Sequence, residues 1–347
     1  MKNTFKNYML NVIWIVLFAA IALFFTLKGD FKSILEVLCH INAFWFFIIL
    51  CLGILPYLFE GMVLKIFANI YNKNYSLKQG FVNAMSGGFF CGITPFSSGG
   101  QFAQVYIFKK QGVSTTNSVG ILLMCFIIYQ VTMVAYTLLV LIFKFNKFFS
   151  EYSSFVSVAL IGFLINAIVI TALLTGAVSS RFQNFLTGTV LKIGYRLHII
   201  KNYDYAKLNL DHKLEDFRTE LAVMKHHKPA IIKSSICIFL KLTVQYSIPF
   251  FTMLALGQNL PFDQFSDYLG ICAFIYMITA FIPIPGASGG SEGTYALLYS
   301  YLMGSVLASS SMLIWRFATY YLVMFVGAIV FAMNKEINQR HRKGDIG

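Results

Sequence analysis

The sequence predicts an all-α, polytopic membrane protein with six full transmembrane helices and two re-entrant helical hairpins in an inverted-repeat arrangement. Of the 347 residues, 58% are hydrophobic and only 12% are charged, and the mean hydropathy is +0.70. This is more apolar surface than one soluble core buries. Long apolar runs alternate with short loops rich in Lys and Arg, as in multi-pass membrane proteins. Two breaker-rich segments that interrupt the apolar runs also share the pattern Pro-x-x-Ser-Gly-Gly.

The charged residues and cysteines exclude other classes. A net charge of +13 would suggest a nucleic-acid partner in a soluble protein, but here the basic residues lie in short loops. Anionic lipid headgroups are therefore the predicted partner, and nucleic acid is not. The six cysteines show no Cys-x-x-Cys pair and no Cys/His cluster, which predicts buried thiols and no metal site. The sequence predicts no cofactor.

The first two spans are predicted from residues 8–27 and 43–68. Each run reaches the roughly 20 apolar residues that cross a bilayer, and Lys2 and Lys6 place the N-terminus inside. A cleavable signal is the alternative for the first run, but no small-residue cleavage site follows it. We therefore expect a retained helix.

Residues 77–111 predict the first re-entrant hairpin. Ser76 and Gln79 have the spacing of a capping box, which starts a helix. Two helices, 77–91 and 101–110, flank the breaker-rich motif, and each is too short to cross comfortably. Both ends are expected in the cytoplasm because basic residues mark each of them: Lys73, Lys78, Lys109 and Lys110.

Two further spans, 117–143 and 154–177, lead to the longest polar segment, residues 180–228. Its excess of Lys and Arg over acids predicts a cytoplasmic insert. The first part has the pattern of an amphipathic helix on the inner leaflet, and the remainder that of a short solvated helical hairpin. The insert is too short for a catalytic domain and has no Gly-rich phosphate loop.

The second half of the chain repeats the plan of the first. Residues 230–256 are predicted to cross outward, residues 268–303 to form the second hairpin, and residues 306–333 to cross back. The basic tail places the C-terminus inside as well. The chain, 1–347, is thus predicted to be one integral membrane domain whose two hairpins open to opposite faces of the bilayer.

The two Pro-x-x-Ser-Gly-Gly segments are the predicted substrate site. Non-helical backbone at membrane depth persists only where protein or a watered cavity covers it, and paired breaks of this kind indicate a transporter's binding site. Amides at a helix N-terminus favour an anion, so the motif glycines are candidates to cradle a lipid phosphate; the alternative is that they only allow tight helix packing. The candidates are Pro95, Ser97, Ser98, Gly99, Gly100, Gln101, Gln104, Pro285, Ser288, Gly289 and Gly290.

Four ionisable residues in apolar segments complete the candidate set, because such groups are expensive in a bilayer and mark function. Arg316 lies about ten residues into the last span, and its planar fork suits a phosphate or a paired acid. Glu292 begins a half-helix, where it either caps the N-terminus or balances Arg316 or a cationic headgroup. Lys241 lies mid-span, and Glu60 either pairs with Lys65 or lies at the cavity edge.

Three segments carry a family resemblance. Residues 92–106 read Gly-Ile-Thr-Pro-Phe-Ser-Ser-Gly-Gly-Gln-Phe-Ala-Gln-Val-Tyr, residues 283–293 read Pro-Ile-Pro-Gly-Ala-Ser-Gly-Gly-Ser-Glu-Gly, and residues 315–321 read Trp-Arg-Phe-Ala-Thr-Tyr-Tyr. Together they resemble the lysylphosphatidylglycerol synthase transmembrane family over nearly the whole chain. The resemblance implies a flippase of the bacterial cell membrane that moves lysyl-phosphatidylglycerol to the outer leaflet. We expect no lysyl transfer by this chain, because a separate C-terminal acyltransferase domain performs that reaction in the family and the residues after the last span are too few for one.

The leading functional prediction is a lipid flippase or transporter for an anionic or aminoacylated phospholipid. The alternatives are a phosphatidylglycerol lysyltransferase and a membrane partner of a separate synthase. Membrane phospholipid is the expected ligand, and a homodimer and a separate soluble aminoacyltransferase are the protein partners left open. The sequence does not select one lipid, because a phosphate cradle would serve several phosphate-bearing lipids alike.

Thiol labelling tests the first hairpin. Single cysteines at Lys78 and at Lys110, in a background with the native cysteines replaced, should both resist an impermeant reagent applied outside, because both positions are predicted to be cytoplasmic. A cysteine at Lys147, in the predicted outer connection, is the labelled control. Labelling of either hairpin end from outside would contradict entry from the cytoplasm.

Overall fold

The computed structural model describes residues 36–94, 98–151, 202–280, 282 and 284–334, with short stretches between 163 and 196. Helix is the regular secondary structure of these residues, and they contain no strand. Among the described residues, four helices are long and apolar enough to cross a membrane: Ala43–Tyr71, Thr115–Lys144, Lys228–Ala255 and Ser305–Met333. They match four of the predicted spans, so the all-α, multi-helix membrane prediction is confirmed to this extent.

The other parts of the predicted layout are not tested. The span at 8–27 and most of the span at 154–177 lie outside the described residues, as do Pro95, Ser97 and the basic tail. The six-span layout and the location of both termini in the cytoplasm therefore stay predictions.

The main helices are named in chain order. The first four are α1 (Ala43–Tyr71), α2 (Leu77–Ile93), α3 (Ser98–Lys110) and α4 (Thr115–Glu151). After them come α5 (Leu191–Arg196), α6 (Tyr203–His226), α7 (Lys228–Ala255), α8 (Phe265–Thr279) and α9 (Gly290–Met303). The last helix, α10 (Ser305–Met333), contains a π-helical turn at Phe317–Tyr321. A 3-10 turn, Pro285–Ala287, lies between α8 and α9.

Side-chain caps start the helices where the sequence places polar residues. The predicted capping box of α2 is confirmed: Gln79 N donates to Ser76 Oγ over 3.2 Å, and Ser76 N donates to Gln79 Oε1 over 2.9 Å. Asn42 caps α1 by accepting from Phe44 N at 3.0 Å and Trp45 N at 3.3 Å. These bonds satisfy backbone amides that have no partner within the first turn of a helix.

Each pair of short helices forms a hairpin with adjacent ends. At the first, Gln111 Nε2 donates to Gln79 O over 3.1 Å, and Tyr75 OH donates to Gln111 Oε1 over 2.6 Å, so the start of α2 lies beside the end of α3. At the second, Tyr299 OH donates to Tyr268 O over 2.7 Å, which joins the end of α9 to the start of α8. How either hairpin lies in a bilayer stays a prediction.

Helix α4 runs between the open ends of the two hairpins. It starts at Thr115, shortly after α3 ends at Lys110. Farther along α4, Lys144 Nζ lies 2.9 Å from Asp267 Oδ1, in the first turn of α8. Because the first hairpin ends beside Thr115 and the second begins beside Lys144, the two hairpins open at opposite ends of α4. The stretch Thr115–Lys144 has 30 residues, about 45 Å of helix, so these two ends are farther apart than the roughly 30 Å thickness of the hydrocarbon core.

Helix α7 lies at the centre of the bundle. It packs against α1, α4, α8 and the first half of α10. Leu242 and Tyr246 are fully buried in one core group with α1 and α4, and Ile248 and Phe250 are buried in a second group with α8, α9 and α10. One helix thus joins the two halves of the core.

The predicted helical hairpin in the insert 180–228 is wrong. Residues 203–226 form one continuous helix, α6. The reason is local: this stretch contains neither Gly nor Pro, so no residue interrupts the helical backbone. The break comes at His227, and Pro229 then occupies the first turn of α7, where proline is tolerated. The cytoplasmic position of the insert stays a prediction.

Close packing of α1 on α2 gives a stability test. A Cβ on Gly61 would lie 2.7 Å from Phe81 N and 2.9 Å from Gly80 C, so Gly61→Ala forces the backbones apart and should destabilise the protein by about 1–3 kcal/mol. Gly293→Ala in α9 is the matched control, because a Cβ there meets nothing within 4 Å. It should be neutral or slightly stabilising, since Ala is the better helix former. Thermal unfolding in one detergent measures both, and equal stability would show that the α1–α2 contact accommodates a methyl group.

Candidate functional site

A cavity of about 730 Å³ lies among α1, α2, α3, α4, α7, α8 and α10. Both hairpins reach its wall: Cys91 lies in the last turn of α2, and Gly286 and Ala287 lie in the turn of the second hairpin. Its polar lining is mostly long side chains: Glu60, Gln101, Gln104, Lys241, Gln245 and Arg316. The cavity therefore brings together charged and breaker residues from distant parts of the sequence.

Arg316 is buried at this wall and is held by the second hairpin. Its Nε lies 2.7 Å from Glu292 Oε1, and the two side chains are only 7% and 2% exposed. Its Nη2 donates to Gly286 O and to Ser288 Oγ, both over 2.9 Å. Three residues at the tip of the second hairpin thus bind one guanidinium group.

One edge of the guanidinium remains available to a ligand. The Tyr320 ring supports the group from one face, with 3.9 Å between Arg316 Cζ and the ring centroid, a cation–π distance. Nη1 has no hydrogen-bond partner among the described residues, and the side chain lines the cavity. The sequence suggests a free planar fork, but Nε and Nη2 are used within the protein. Nη1 is therefore the guanidinium nitrogen left as a candidate donor for an anion.

Glu292 has both of the roles that the sequence leaves as alternatives. Its Oε1 faces Arg316, while its Oε2 accepts from Gly289 N and from Ser291 Oγ, both over 2.8 Å. The first contact balances a buried charge, and the second caps the N-terminus of α9. One carboxylate thus fixes the arginine to the start of the half-helix.

A left-handed turn presents the carbonyl group that Arg316 binds. Gly286, Ala287 and Gly289 have φ values of 59°, 51° and 87°, a region that favours glycine. At Gly286 space also requires glycine, because an added Cβ would collide with the Tyr320 ring. The glycine allows the turn to lie directly against the aromatic ring that supports Arg316.

A second ion pair joins α7 to α1 at the cavity wall. Lys241 Nζ lies 2.7 Å from Glu60 Oε2 and 5.2 Å from the centroid of the Tyr129 ring. Gln104 Nε2 donates to Glu60 Oε1 over 3.4 Å. Of the alternatives for Glu60, the cavity edge is the one observed, and its partner is Lys241 rather than Lys65. This pair is more exposed than the first, at 16% for Lys241 and 28% for Glu60.

The motif amides are partly occupied within the protein. Gly99 N donates to Thr94 Oγ1 over 2.9 Å, and Gly289 N donates to the cap carboxylate described above. Gly100 packs so closely that an added Cβ would lie 2.8 Å from Gly87 O. These contacts favour the packing role of the glycines and make Arg316 the principal candidate for anion binding.

Some of the remaining predicted site residues line the cavity and others do not. Gln101 and Gln104 line the cavity, whereas Ser98 is exposed and does not contribute to its wall. Pro285 begins the 3-10 turn, and Gly290 is the first residue of α9.

Sequence reasoning missed the aromatic part of the site. Tyr57, Tyr129, Tyr276 and Tyr320 all line the cavity, and Gln245 Nε2 donates to Tyr276 OH over 2.8 Å. Two local signals were available. Tyr320 lies within the segment 315–321 on which the family resemblance rests, and Gln245 lies one helical turn after Lys241, on the same face.

Comparison with known proteins agrees with this architecture. Residues 12–327 match the family model described as lysylphosphatidylglycerol synthase TM region. The chain belongs to this family. A UPF0104 membrane protein of Archaeoglobus fulgidus is 24% identical over 277 residues, which are 79% of this chain and 81% of that protein. No solved structure matches. Membership confirms the resemblance and indicates a multi-pass membrane protein with a lipid-related function.

The buried pair of this family member gives the second stability test. Arg316→Ala leaves the Glu292 carboxylate buried without its counter-charge and should cost about 3–5 kcal/mol. Adding Glu292→Gln removes the stranded charge and should restore most of that loss. Lys241→Ala is the matched control, because its partner Glu60 is 28% exposed and water can replace the ammonium group. Thermal unfolding of the wild type and the three variants measures the differences; an Arg316→Ala protein no less stable than Lys241→Ala would contradict a fully desolvated pair.

Proposed function

We propose that the chain is a lipid flippase or transporter that holds the phosphate of an anionic or aminoacylated phospholipid at Arg316, between the two hairpins. The observation that supports this most directly is a buried arginine at the wall of a cavity of about 730 Å³ that both hairpins line. Family membership supports a lipid as the ligand.

Arg316 fits a phosphate better than a purely structural role. An arginine in a membrane span is costly and is retained for function, and Glu292 alone would neutralise it. The structure nonetheless supports the guanidinium by Gly286 O, Ser288 Oγ and the Tyr320 ring. Such support holds the group at the cavity wall and leaves one of its donors for an anion. Arginine is also the residue best suited to phosphate.

The second ion pair supplies the contact for an amine-bearing headgroup. Glu60 accepts a hydrogen bond from the ammonium group of Lys241, beside the Tyr129 ring. The amine of an aminoacylated lipid has the same chemistry and competes for the same carboxylate. An anionic phospholipid without an amine uses Arg316 alone.

The hairpin geometry supports alternating access. The open ends of the hairpins lie at opposite ends of α4, and their tips lie together, since α2 packs on the 3-10 turn of the second hairpin. We infer that each hairpin enters from one face of the membrane, as an inverted repeat requires, and that both termini lie in the cytoplasm. Movement of one hairpin would then open the cavity to one leaflet while the other keeps it closed.

Transport by charge variants tests the proposal. Arg316→Lys keeps the charge but loses the supported planar group, and should slow transport roughly tenfold; Arg316→Ala should slow it roughly a hundredfold. Arg316→Ala with Glu292→Gln should recover stability without recovering transport. The measurement is the appearance of labelled phosphatidylglycerol or lysyl-phosphatidylglycerol in the outer leaflet of proteoliposomes.

Two outcomes would contradict the proposal. A double variant that transports at the wild-type rate would show that the pair is dispensable. Lysyl-phosphatidylglycerol formed by the purified chain from lysyl-tRNA and phosphatidylglycerol would favour the lysyltransferase alternative.

A further inference from the structure

One side chain, Tyr320, contacts the last turn of α2 in the first hairpin, the turn of the second hairpin and Arg316. Its hydroxyl donates to Gly92 O over 2.8 Å, in the last turn of α2. Its ring lies against Gly286 in the turn of the second hairpin. The same ring supports the Arg316 guanidinium, 3.9 Å away. No other contact described above joins these three features.

The bond to Gly92 satisfies a group that α2 cannot satisfy itself. The last four carbonyls of a helix have no partner within it, and Gly92 is the penultimate residue of α2. A buried carbonyl without a partner is costly. The Tyr320 hydroxyl therefore holds the last turn of α2, which leads into the tip of the first hairpin, in its observed position.

Arg316 and Tyr320 are also joined along the backbone. The π-helical turn Phe317–Tyr321 begins directly after Arg316, and such turns are frequent at functional sites. Helix α1 packs closely on this turn, since a Cβ on Gly53 would lie 2.5 Å from Ala318 O. Helix α1 thus restrains the turn on its outer side. A movement of Arg316 therefore also moves the Tyr320 ring that stacks on it.

We propose that Tyr320 is a positioning residue that couples occupancy of the anion site at Arg316 to the tip of the first hairpin. When a phosphate oxygen binds Nη1, the guanidinium moves toward it, the stacked ring follows, and the hydroxyl leaves Gly92 O. The tip of the first hairpin is then released. The phosphate-bearing ligand rests on the proposed function above, whereas the mechanical link does not.

Thiol reactivity at Cys91 tests the link without any lipid. Cys91 directly precedes Gly92 and lines the cavity, so it reports on the tip once the other five cysteines, Cys39, Cys51, Cys125, Cys237 and Cys272, are replaced. Labelling rates are compared for the unchanged site, Arg316→Lys, Tyr320→Phe and the double variant. Each single change should raise the rate several-fold, and the double variant should match Tyr320→Phe, because both changes act through the same Tyr320 hydroxyl.

Two results of this cycle would overturn the proposal. Rates that multiply in the double variant would show that Arg316 and Tyr320 act independently. A Tyr320→Phe protein with unchanged Cys91 reactivity would show that the hydroxyl does not hold the tip. Tyr321→Phe is the matched control, because the neighbouring hydroxyl has no hydrogen-bond partner within the described chain, and it should leave the rate unchanged.

Transport separates positioning from binding. Tyr320→Phe keeps the ring that stacks on Arg316, so affinity of the solubilised protein for phosphatidylglycerol should stay within about twofold. Transport of the same lipid in proteoliposomes should fall roughly tenfold, because the variant lacks the hydroxyl whose bond to Gly92 O must break and re-form in each cycle. Equal losses of affinity and transport, or unimpaired transport, would each overturn the coupling role. A wild-type protein that moves no lipid would refute the proposed function instead, and the labelling cycle would still decide the role of Tyr320.

Discussion

The buried ion pair between Arg316 and Glu292 is the interaction on which the arrangement of the second hairpin depends. Moving two charges out of water costs several kcal/mol per ion, and a pair offsets this only when further hydrogen bonds satisfy both groups. Here Gly289 N and Ser291 Oγ satisfy the carboxylate, and the turn carbonyl and Ser288 satisfy the guanidinium. The pair therefore fixes the start of α9, the left-handed turn and the middle of α10 in one geometry.

The described cavity wall is electrically balanced by pairs that join distant helices. One pair connects α10 to α9, and the other connects α7 to α1. The first pair is almost sealed from solvent, while the second is partly exposed. A charged ligand could replace one partner of an internal pair or bind a donor that the pair leaves unused, and both pairs lie at the wall of one cavity.

The sequence predicted the positions of the helices more accurately than the partners of their side chains. Apolar length and Pro/Gly breaks located the four described spans and both hairpins to within a few residues, because these signals are local. Pairing is not local: Glu60 has Lys65 nearby in sequence, but its partner Lys241 comes from another helix. The sequence pattern predicted that the Gly99 amide could bind an anion, because nothing in the pattern shows that this amide donates to Thr94 Oγ1. Tyr320 was one tyrosine among 19, and only the fold shows what its hydroxyl reaches.

The π-helical turn in α10 also sets how this helix faces its neighbours. A π turn holds one residue more than an α turn, which offsets the two halves of the helix by about 100° relative to an uninterrupted one. The first half, Ser305–Arg316, packs on α7 and α9, and the second half, Leu322–Met333, packs on α2. One continuous helix thereby presents two apolar stripes in different directions. The number of residues between the two stripes is consequently more constrained than the identity of the side chains there. Removing a single residue would rotate one stripe away from its partner.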